Sequence, residues 1–213
     1  MSLTLFIGNK AYSSWSLRPW LLMRTLDIPF AEVVTPLYVE GSRETLLREA
    51  PTGKVPVLRD GEIAVWDSLA IVEYLAEKFA AKNVWPKEAR DRALARSLCC
   101  EMHSGFQALR QSCPTNFRRD RRLSLREIDA AAQADLERIE AIFAGARGPF
   151  LFGDFCAADA FFAPVASRIA TYALPIDPGA ENYADAILAL PAFADWRKGA
   201  QAEAWVIGKW EGL

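Results

Sequence analysis

The chain has 213 residues, of which 52% are hydrophobic and 24% are charged, and its mean hydropathy is +0.03. These values are ordinary for a globular protein that buries one large core or two smaller ones, and they disfavour disorder and membrane spanning. Lys and Arg number 25 against 27 Asp and Glu, so the net charge is -2 and no global field favours nucleic acid or an anionic membrane. We therefore expect small-molecule partners, no nucleic acid and no membrane.

The first residues, Met1 to Ile7, lack a basic segment and a long apolar segment before the polar Asn9 and Lys10. They predict a first strand and not a signal peptide, so a cytoplasmic location is the default expectation. The cysteines, at positions 99, 100, 113 and 156, show neither disulfide-framework nor zinc spacing, and the single histidine, His103, cannot build a multi-histidine site. No metal is expected.

Strand and helix signals alternate over the first 80 or so residues. The pair Asp60-Gly61 predicts a hairpin, because it supplies the positive φ angles of a tight two-residue loop. The predicted elements are a strand at Leu3 to Ile7, a helix from Ser14 to Leu26, a strand at Phe30 to Thr35, a short polar helix or turn at Ser42 to Ala50, hairpin strands at Val55 to Arg59 and Glu62 to Trp66, and a helix from Asp67 to about Phe79.

The rest of the chain is helical in character. A long amphipathic segment runs from Glu88 to Arg110, and the S-x-x-E capping box at Ser124 opens a second helix that ends near Ala144. Further helices are predicted from near Cys156 to before Pro175, at Tyr183 to Leu190 and at Ala192 to Ala202. The sequence therefore predicts an α/β domain at 1–80, a linker at 81–87 and an all-helical domain at 88–213.

Three motifs in order, together with this two-domain pattern, resemble the cytosolic glutathione transferases over essentially the whole chain. They are Ser13-Ser14-Trp15-Ser16-Leu17-Arg18 after the first strand, Val55-Pro56, and Asp67-Ser68 twelve residues later; a fourth is Gly153-Asp154 to Ala158-Asp159. The S-S-x-S-x-R stretch is most similar to the serine-type, zeta-like branch, although Trp15 stands where that class has cysteine. The resemblance implies a thioredoxin-like first domain, an all-α second domain, glutathione as cosubstrate and a homodimer.

Asp67-Ser68 opens a predicted helix directly after a strand, where free N–H groups and the helix dipole favour an anion. The resemblance implies that Ser68 holds the α-carboxylate of the γ-glutamyl moiety and that Asp67 meets its ammonium group. The alternative is a plain Asp or Ser helix cap.

Val55-Pro56 has a similar double interpretation, since proline at a strand start is also tolerated as an edge residue. The resemblance implies a cis Pro56 and a Val55 backbone that pairs with the cysteinyl residue of glutathione. It also implies that Lys54 and Trp15 contact glutathione.

The catalytic candidates are two serines, Ser14 and Ser13. A free thiol has a pKa of about 8.5, so little of it is thiolate at pH 7, and a serine hydroxyl with N–H groups at a helix start can stabilise the sulfur anion. Ser14 lies four residues before Arg18 and Ser13 lies five before it, and both registers occur in serine-type relatives. We favour Ser14; at least one serine of this loop is expected to be only a turn or cap residue.

A thiol-transfer reaction would need a cysteine in this loop, as C-x-x-C or as a single nucleophile. The first half of the chain contains none. Glutaredoxin-like, omega-like and lambda-like chemistry is therefore disfavoured.

The electrophile is expected where the helical domain faces this loop, and the resemblance implies that His103 and Ser104, aligned on Gly105-Phe106, border its site; Phe106 is the third candidate. Gly105 is unusual inside a helix, where it costs about 1 kcal/mol against alanine, and a close approach by a ligand or another element would explain it. His103 could steer an acidic substrate or relay a proton, or it could be satisfied within the domain interface. The aromatic residues that could form an apolar wall, or belong to the core instead, are Trp15, Tyr38, Phe106 and Phe117.

Two local features depart from this pattern. The basic run at 118–122 is interpreted as a solvated loop, with a lesser role in drawing carboxylate-bearing substrates. At Cys156 the resembling family has Ser or Thr as the helix cap; cysteine is a poorer acceptor, so that cap should be weaker, while Asp159 remains to accept from nearby backbone donors.

Two classes of function fit the sequence. One is a glutathione transferase that conjugates small electrophiles or isomerises an acidic diene in the manner of a maleylacetoacetate isomerase. The other is a non-catalytic protein with the glutathione-transferase fold that binds ligands or docks a partner. Ser14, Val55, Asp67 and Ser68 together favour the enzyme.

Overall fold

A computed structural model describes residues 3–119 and 127–211. The strands are β1 (Leu3–Ile7), β2 (Phe30–Val34), β3 (Val57–Asp60) and β4 (Ile63–Trp66). The helices are α1 (Ser14–Thr25), α2 (Ser42–Glu49), α3 (Ser68–Lys78), a 3-10 turn (Ala80–Lys82), α4 (Ala89–Ser104), α5 (Gln107–Ser112), α6 (Ala130–Ala144), α7 (Ala157–Tyr172), α8 (Pro178–Leu188), α9 (Pro191–Ala202) and α10 (Gly208–Glu211).

The four strands form one mixed sheet in the order β2-β1-β3-β4. β1 is parallel to β2 and antiparallel to β3, which is joined to β4 by the hairpin predicted at Asp60-Gly61. Along β1, Leu3, Leu5 and Ile7 are buried and the residues between them are half-buried, the period-2 pattern of a strand with one covered face. The predicted order β-α-β-α-β-β-α is confirmed, and the sheet with its helices is the thioredoxin-like arrangement expected.

Helix α1 joins the sheet to the helical layer. Its residues 16–23 are all buried, and it packs against α3 on the side of its own domain and against α7 and α9 on the other. Helix α7 is buried over most of its length, so the main core runs continuously from the sheet through α1 into the helical part. A surface helix has apolar residues on one face only, whereas a helix covered on both sides can be apolar all round. This explains the short apolar run at the centre of α1.

The long helix predicted from Glu88 to Arg110 is wrong: α4 ends at Ser104 and α5 begins at Gln107. Gly105 is the residue after the helix and not a residue inside it, and Phe106 has a positive φ of 58°. A Cβ on Gly105 would lie 2.7 Å from the Glu101 carbonyl oxygen. A close approach by the chain's own backbone therefore accounts for this glycine.

The second helix of this domain begins later than predicted. α6 starts at Ala130, and its N-cap is Asp129, whose carboxylate accepts from the Ala132 N–H at 2.8 Å. The predicted capping box begins at Ser124, which lies outside the described residues. In addition, α8 begins at Pro178, five residues before the predicted Tyr183, because proline is well suited to the first turn of a helix.

Candidate functional site

A cavity of about 840 Å³ opens between the sheet domain and the helical domain. The sheet domain contributes the start of α1, the segment after β2 with α2, and the segment before β3; the helical domain contributes α5, α7 and α10. The residues predicted from sequence that line this cavity are Ser13, Ser14, Trp15, Tyr38, Lys54 and Val55. The Val55–Pro56 peptide is cis, as the resemblance implied; Pro56 is buried and does not line the cavity.

The two catalytic candidates have different environments. Ser13 is the N-cap of α1, is 5% exposed, accepts from the Ser16 N–H at 3.3 Å and donates to the Ser16 hydroxyl at 2.8 Å. Ser14 is the first residue of α1 and is half-buried at the cavity wall. Since the N–H groups of the first helical turn lack partners within the helix, this end of α1 favours an anion in the cavity. Ser13 is engaged in capping, whereas no hydrogen bond within the described chain involves the Ser14 hydroxyl.

Tyr12 also lines the cavity, but its hydroxyl is already bonded. It donates to Glu211 at 2.5 Å and accepts from the Ile207 N–H at 3.2 Å, and the pKa of Tyr12 is raised, first by burial and then by the bond to Glu211. Trp210 stacks near both Tyr12 and Tyr38, with ring centroids 5.3 and 5.4 Å away. The C-terminal segment thereby forms one wall of the cavity and holds the Tyr12 hydroxyl away from a role as thiol donor.

Trp15 lies between two guanidinium groups. The Arg18 group is 4.2 Å from the Trp15 ring centroid and the Arg110 group is 5.3 Å from it. The imidazole of His103 contacts the same ring edge-on at 5.0 Å. Cation–π contacts of this kind restrict the motion of the indole, so Trp15 is held in place at the cavity wall.

Asp67 and Ser68 form the start of α3, but they do not line the cavity. Asp67 has a positive φ of 75° and accepts from the Leu69 N–H at 2.8 Å, as a helix cap does. Its carboxylate is partly exposed and lies 3.3 Å from His103 Nε2. Ser68 is fully buried, and its hydroxyl accepts from Arg18 Nη1 at 3.4 Å.

His103 belongs to the domain interface. Burial lowers the pKa of His103, and the nearby cations Arg18 and Arg110 add to that effect while Asp67 opposes it. A neutral imidazole with its proton on Nε2 donates to Asp67, and it leaves the buried Nδ1, which has no partner in the described chain, as an acceptor. A protonated ring would instead bury an unpaired N–H donor, which costs more. His103 thus lies in the domain interface, where Nε2 is paired with Asp67, and it contacts the site through Trp15.

The rest of the predicted electrophile site lies elsewhere. Ser104 is exposed and donates to the Cys100 carbonyl, while Phe106 is buried against Phe162. Phe117 is buried in the core beside Phe193 and Trp196. Because α4 ends at Ser104, the chain turns there and presents α5 to the cavity instead.

The residues that line the helical side of the cavity do not follow from the sequence motifs. They are Arg110, Gln111, Pro114, Thr115, Arg168 and Trp210. One signal was available: α7 reads AADAFFAPVASRIATY, and Arg168 is the single cation in this mostly apolar helix. Because charged residues are rarely fully buried, a cation at such a position is a candidate functional residue.

Two general findings bear on the chemistry. Among the described residues, no group of three or more His, Cys, Asp or Glu side chains is arranged to hold a metal ion. No helix within the described ranges is long and apolar enough to cross a membrane.

Comparison with known proteins adds an independent observation. The family model "Glutathione S-transferase, N-terminal domain" matches residues 12–78. Glutathione S-transferase 1 of Dianthus caryophyllus is 30% identical over 164 residues, which cover 75% of this chain and 74% of that protein. Dichloromethane dehalogenase of Methylorubrum extorquens is 40% identical over 65 residues, 30% of this chain, and this match spans 23% of the dehalogenase.

Among solved structures, a glutathione transferase homolog from Burkholderia gl BGR1, described as having bound glutathione, superposes with a TM-score of 0.74 at 24% identity. The superposition covers 95% of this chain and 100% of that one. At this identity the superposition shows a shared fold, an α/β thioredoxin-like domain followed by an all-α domain. The sequence matches go further, and this chain belongs to the glutathione S-transferase family.

Proposed function

We propose that this protein binds glutathione in the cavity between its domains and activates the thiol for reaction with a small electrophile, with Ser14 as the donor to the sulfur. The observation that carries the proposal is the position of Ser14, at the first turn of α1 and at the wall of that cavity. A hydroxyl and the first-turn N–H groups stabilise a thiolate more than a thiol, so together they lower the thiol pKa.

Four further residues support glutathione binding beside Ser14. Val55 lines the same cavity as Ser14, so its backbone could pair with the cysteinyl backbone, and Lys54 could bind a carboxylate of the tripeptide. The partly exposed Asp67 carboxylate is available to the γ-glutamyl ammonium group. Since Ser68 is fully buried, its contribution is its N–H at the helix start or a hydroxyl that is released from Arg18 on binding.

The division of roles follows the chain. Residues 1–80 would bind glutathione, 81–87 would link the domains, and 88–213 would supply the electrophile site and part of a homodimer interface, in a cytoplasmic protein without metal. The reaction is conjugation, or the glutathione-dependent isomerisation of an acidic diene. Isomerisation is supported by the cations that line the helical side of the cavity, because an acidic diene carries carboxylates that these cations could bind.

The test combines binding with turnover. Calorimetry should show glutathione binding, and a panel of electrophiles that includes 1-chloro-2,4-dinitrobenzene and a cis-dienoic acid should show which reaction is accelerated. The thiol pKa of bound glutathione, measured from the absorbance of the thiolate, should be lower than the thiol pKa of free glutathione. Binding without acceleration of any electrophile would favour the non-catalytic alternative, a ligand-binding or docking protein; absence of binding would refute both.

A further inference from the structure

The charges around the cavity are all of one sign. Its charged lining residues are Arg43, Lys54, Arg110 and Arg168, and no Asp or Glu is among the described residues that line it. The chain as a whole carries a charge of -2, so this concentration of cations is local. A concave site lined by one sign of charge concentrates ions of the other sign.

A second cleft on the same molecule provides a comparison. It is lined by residues of α4, of α6 and of the segment after α6, among them Arg138 and Arg147. These two arginines are paired, Arg138 with Glu101 at 2.7 Å and Arg147 with Asp91 at 2.6 Å. Arg138 and Arg147 at that cleft are therefore neutralised by carboxylates, whereas no ion pair within the described chain involves the four cations of the cavity.

The four cations of the cavity lie on two sides. Arg43 and Lys54 belong to the sheet domain, next to Val55, where glutathione would lie. Arg110 and Arg168 belong to α5 and α7 of the helical domain, on the side left for the second substrate. Glutathione has two carboxylates, and the first pair together with the start of α3 can accommodate both.

Arg168 is held in place by one nitrogen only. It is 6% exposed, and its Nε donates to the Cys113 carbonyl oxygen at 2.9 Å. No hydrogen bond or ion pair within the described chain involves its two terminal nitrogens. Arg110 is half-buried and donates through Nη2 to the carbonyl oxygens of Met102 and His103, which leaves Nη1 available. Both guanidinium groups are oriented by backbone carbonyls, as a preorganised anion site requires.

A third arginine adds to the local charge. Arg18 is fully buried behind Trp15, and its Nε has no partner in the described chain. Burial lowers the pKa of Arg18 to about 9 and that of Arg168 to about 10, and each is lowered further by Arg110. All three remain cations at pH 7 and repel one another. The nearest opposing charges are Asp135, beside Arg110, and Asp67, beside Arg18.

We propose that Arg110 and Arg168 bind a carboxylate, or an anion of similar size, on the second substrate, so that this enzyme selects anionic electrophiles. An anion between them would offset their mutual repulsion and occupy terminal nitrogens that the protein leaves unbonded. The Trp15 ring would lie against the body of the substrate. This inference rests on the proposed function and names the substrate class of the same site.

The test uses two electrophiles that differ in one charge, 4-chloro-3-nitrobenzoate and its methyl ester. In each case the thiolate sulfur forms a bond to the chlorine-bearing carbon, chloride leaves with the bonding electron pair, and the thiol proton passes to solvent. The intrinsic reactivities differ, so the quantity compared between variants is the ratio of kcat/KM for the carboxylate to that for the ester. When the ratio of a variant is divided by that of the wild-type protein, the difference in intrinsic reactivity cancels.

We expect Arg168→Gln and Arg110→Gln each to lower this ratio by about 10- to 100-fold, as loss of a hydrogen bond to a charged group does. Arg168→Lys, which keeps the charge, should lower it less. Arg138→Gln, at the other cleft, should leave the ratio unchanged. Lys54→Gln should raise the KM for glutathione with both electrophiles and also leave the ratio unchanged.

A binding measurement keeps the inference testable if a variant folds poorly or if turnover is absent. Quenching of tryptophan fluorescence in the wild-type protein, with and without S-methylglutathione, should show that 3-nitrobenzoate binds more tightly than methyl 3-nitrobenzoate. Equal binding of the two would overturn the inference, and so would an unchanged ratio in both arginine variants. If the variants instead raise only the KM for glutathione, the arginines hold the tripeptide and the inference is wrong, while the proposed function stands.

Discussion

Ser13 and Ser14 are neighbours in sequence, yet the structure gives them separate tasks. Ser13 caps α1 through bonds to Ser16, and Ser14 faces the cavity. We expect Ser14→Ala to lower kcat/KM by about 10- to 1000-fold, because one preorganised donor to an anion contributes about 2–4 kcal/mol at most. We expect Ser13→Ala to cost about 1 kcal/mol of folding stability through the lost cap, with a smaller effect on turnover.

These two variants are checked by urea unfolding and by titration of the bound thiolate. The thiol pKa of bound glutathione should rise toward that of free glutathione in Ser14→Ala only. If Ser13→Ala shows the larger kinetic effect at unchanged stability, the donor is Ser13; if neither serine affects turnover, the N–H groups of α1 or Trp15 hold the sulfur.

His103 allows a test of the electrostatics at the domain interface. Its pKa in the folded protein is lowered by burial, so the unfolded chain binds the proton more readily. The stability linked to this group is therefore complete above about pH 6.5, the ordinary value, and is lost as the pH falls through the lower folded pKa. We expect the wild-type protein to lose more stability than His103→Gln between pH 8 and pH 5.

Because His103 is the single histidine of the chain, its imidazole signal in an NMR titration of untagged protein needs no assignment. Asp67→Asn should move that titration to still lower pH, since the Asp67 carboxylate raises the pKa of His103. A His103 pKa above 6.5 in the wild-type protein would contradict this account.

At the scale of single residues, the sequence was sufficient to predict a residue's place in the fold where that place depends on chain position. Ser14, Val55 and the helix start at Asp67 follow from motifs between predictable elements. Arg110 and Arg168 could not be found in this way. They lie on α5 and α7, and only the tertiary packing of the helical domain brings both residues to the same cavity. Ser104 was expected at the site from the family resemblance and Phe106 as part of an apolar wall, but neither lines the cavity in a structure in which the helix ends at Ser104.

The break between α4 and α5 makes a prediction with a defined sign. In a continuous helix Gly105→Ala would be stabilising, but here the new Cβ would lie 2.7 Å from the backbone oxygen of Glu101. We expect Gly105→Ala to destabilise the fold by about 1–3 kcal/mol through this overlap. Gly179, near the start of α8, has no atom within 4 Å of an added Cβ, so Gly179→Ala should be neutral or stabilise by up to about 1 kcal/mol.

Thermal and urea unfolding of these two alanine variants measure the difference. A stabilised Gly105→Ala protein would mean that α4 and α5 can form one helix in solution. In that case Ser104 and Phe106 would have to be reconsidered as neighbours of the cavity.

The start of α7 shows what sequence can establish about an element. Asp159 was expected to accept from nearby backbone donors, and it does so from Leu151 at 3.0 Å and Cys156 at 2.8 Å, with a third bond from the Tyr183 hydroxyl. Asp159 is completely buried, and burial raises its pKa although these bonds oppose the rise. The two backbone hydrogen bonds of Asp159 follow from the spacing of the cap motif. The bond from Tyr183 depends on the packing of α8 and could not be predicted from that motif.

At the scale of the whole molecule, the cavity exists only because α1 packs on α7 and α9. The sheet domain brings Ser14, Lys54 and Val55 to one wall, and the helical domain brings Arg110 and Arg168 to the other. The order of elements made this two-domain arrangement predictable. The position of the helical wall could not be predicted, because it depends on where α4 ends and on the C-terminal segment that carries Trp210.

The assembly of the molecule gives the last prediction. The sheet has two edge strands, and they differ in character. β2 carries Glu32, whose carboxylate is bound by Lys10 at 2.7 Å, and charge on an edge strand discourages pairing. β4 exposes two large apolar side chains, Ile63 at 50% and Trp66 at 40%. Exposed apolar residues on an edge mark a surface for association, and the family resemblance implies a homodimer.

We therefore expect the protein to sediment at micromolar concentration with twice the chain mass of 23.7 kDa. Trp66→Glu should convert it to a monomer, because a carboxylate buried in a dimer interface without a partner is strongly unfavourable. Val33→Glu, at a position on β2 with a similar exposed fraction of 39%, is the matched control and should remain dimeric. A monomeric wild-type protein would refute the dimer, and a Trp66→Glu protein that stays dimeric would place the interface away from β4.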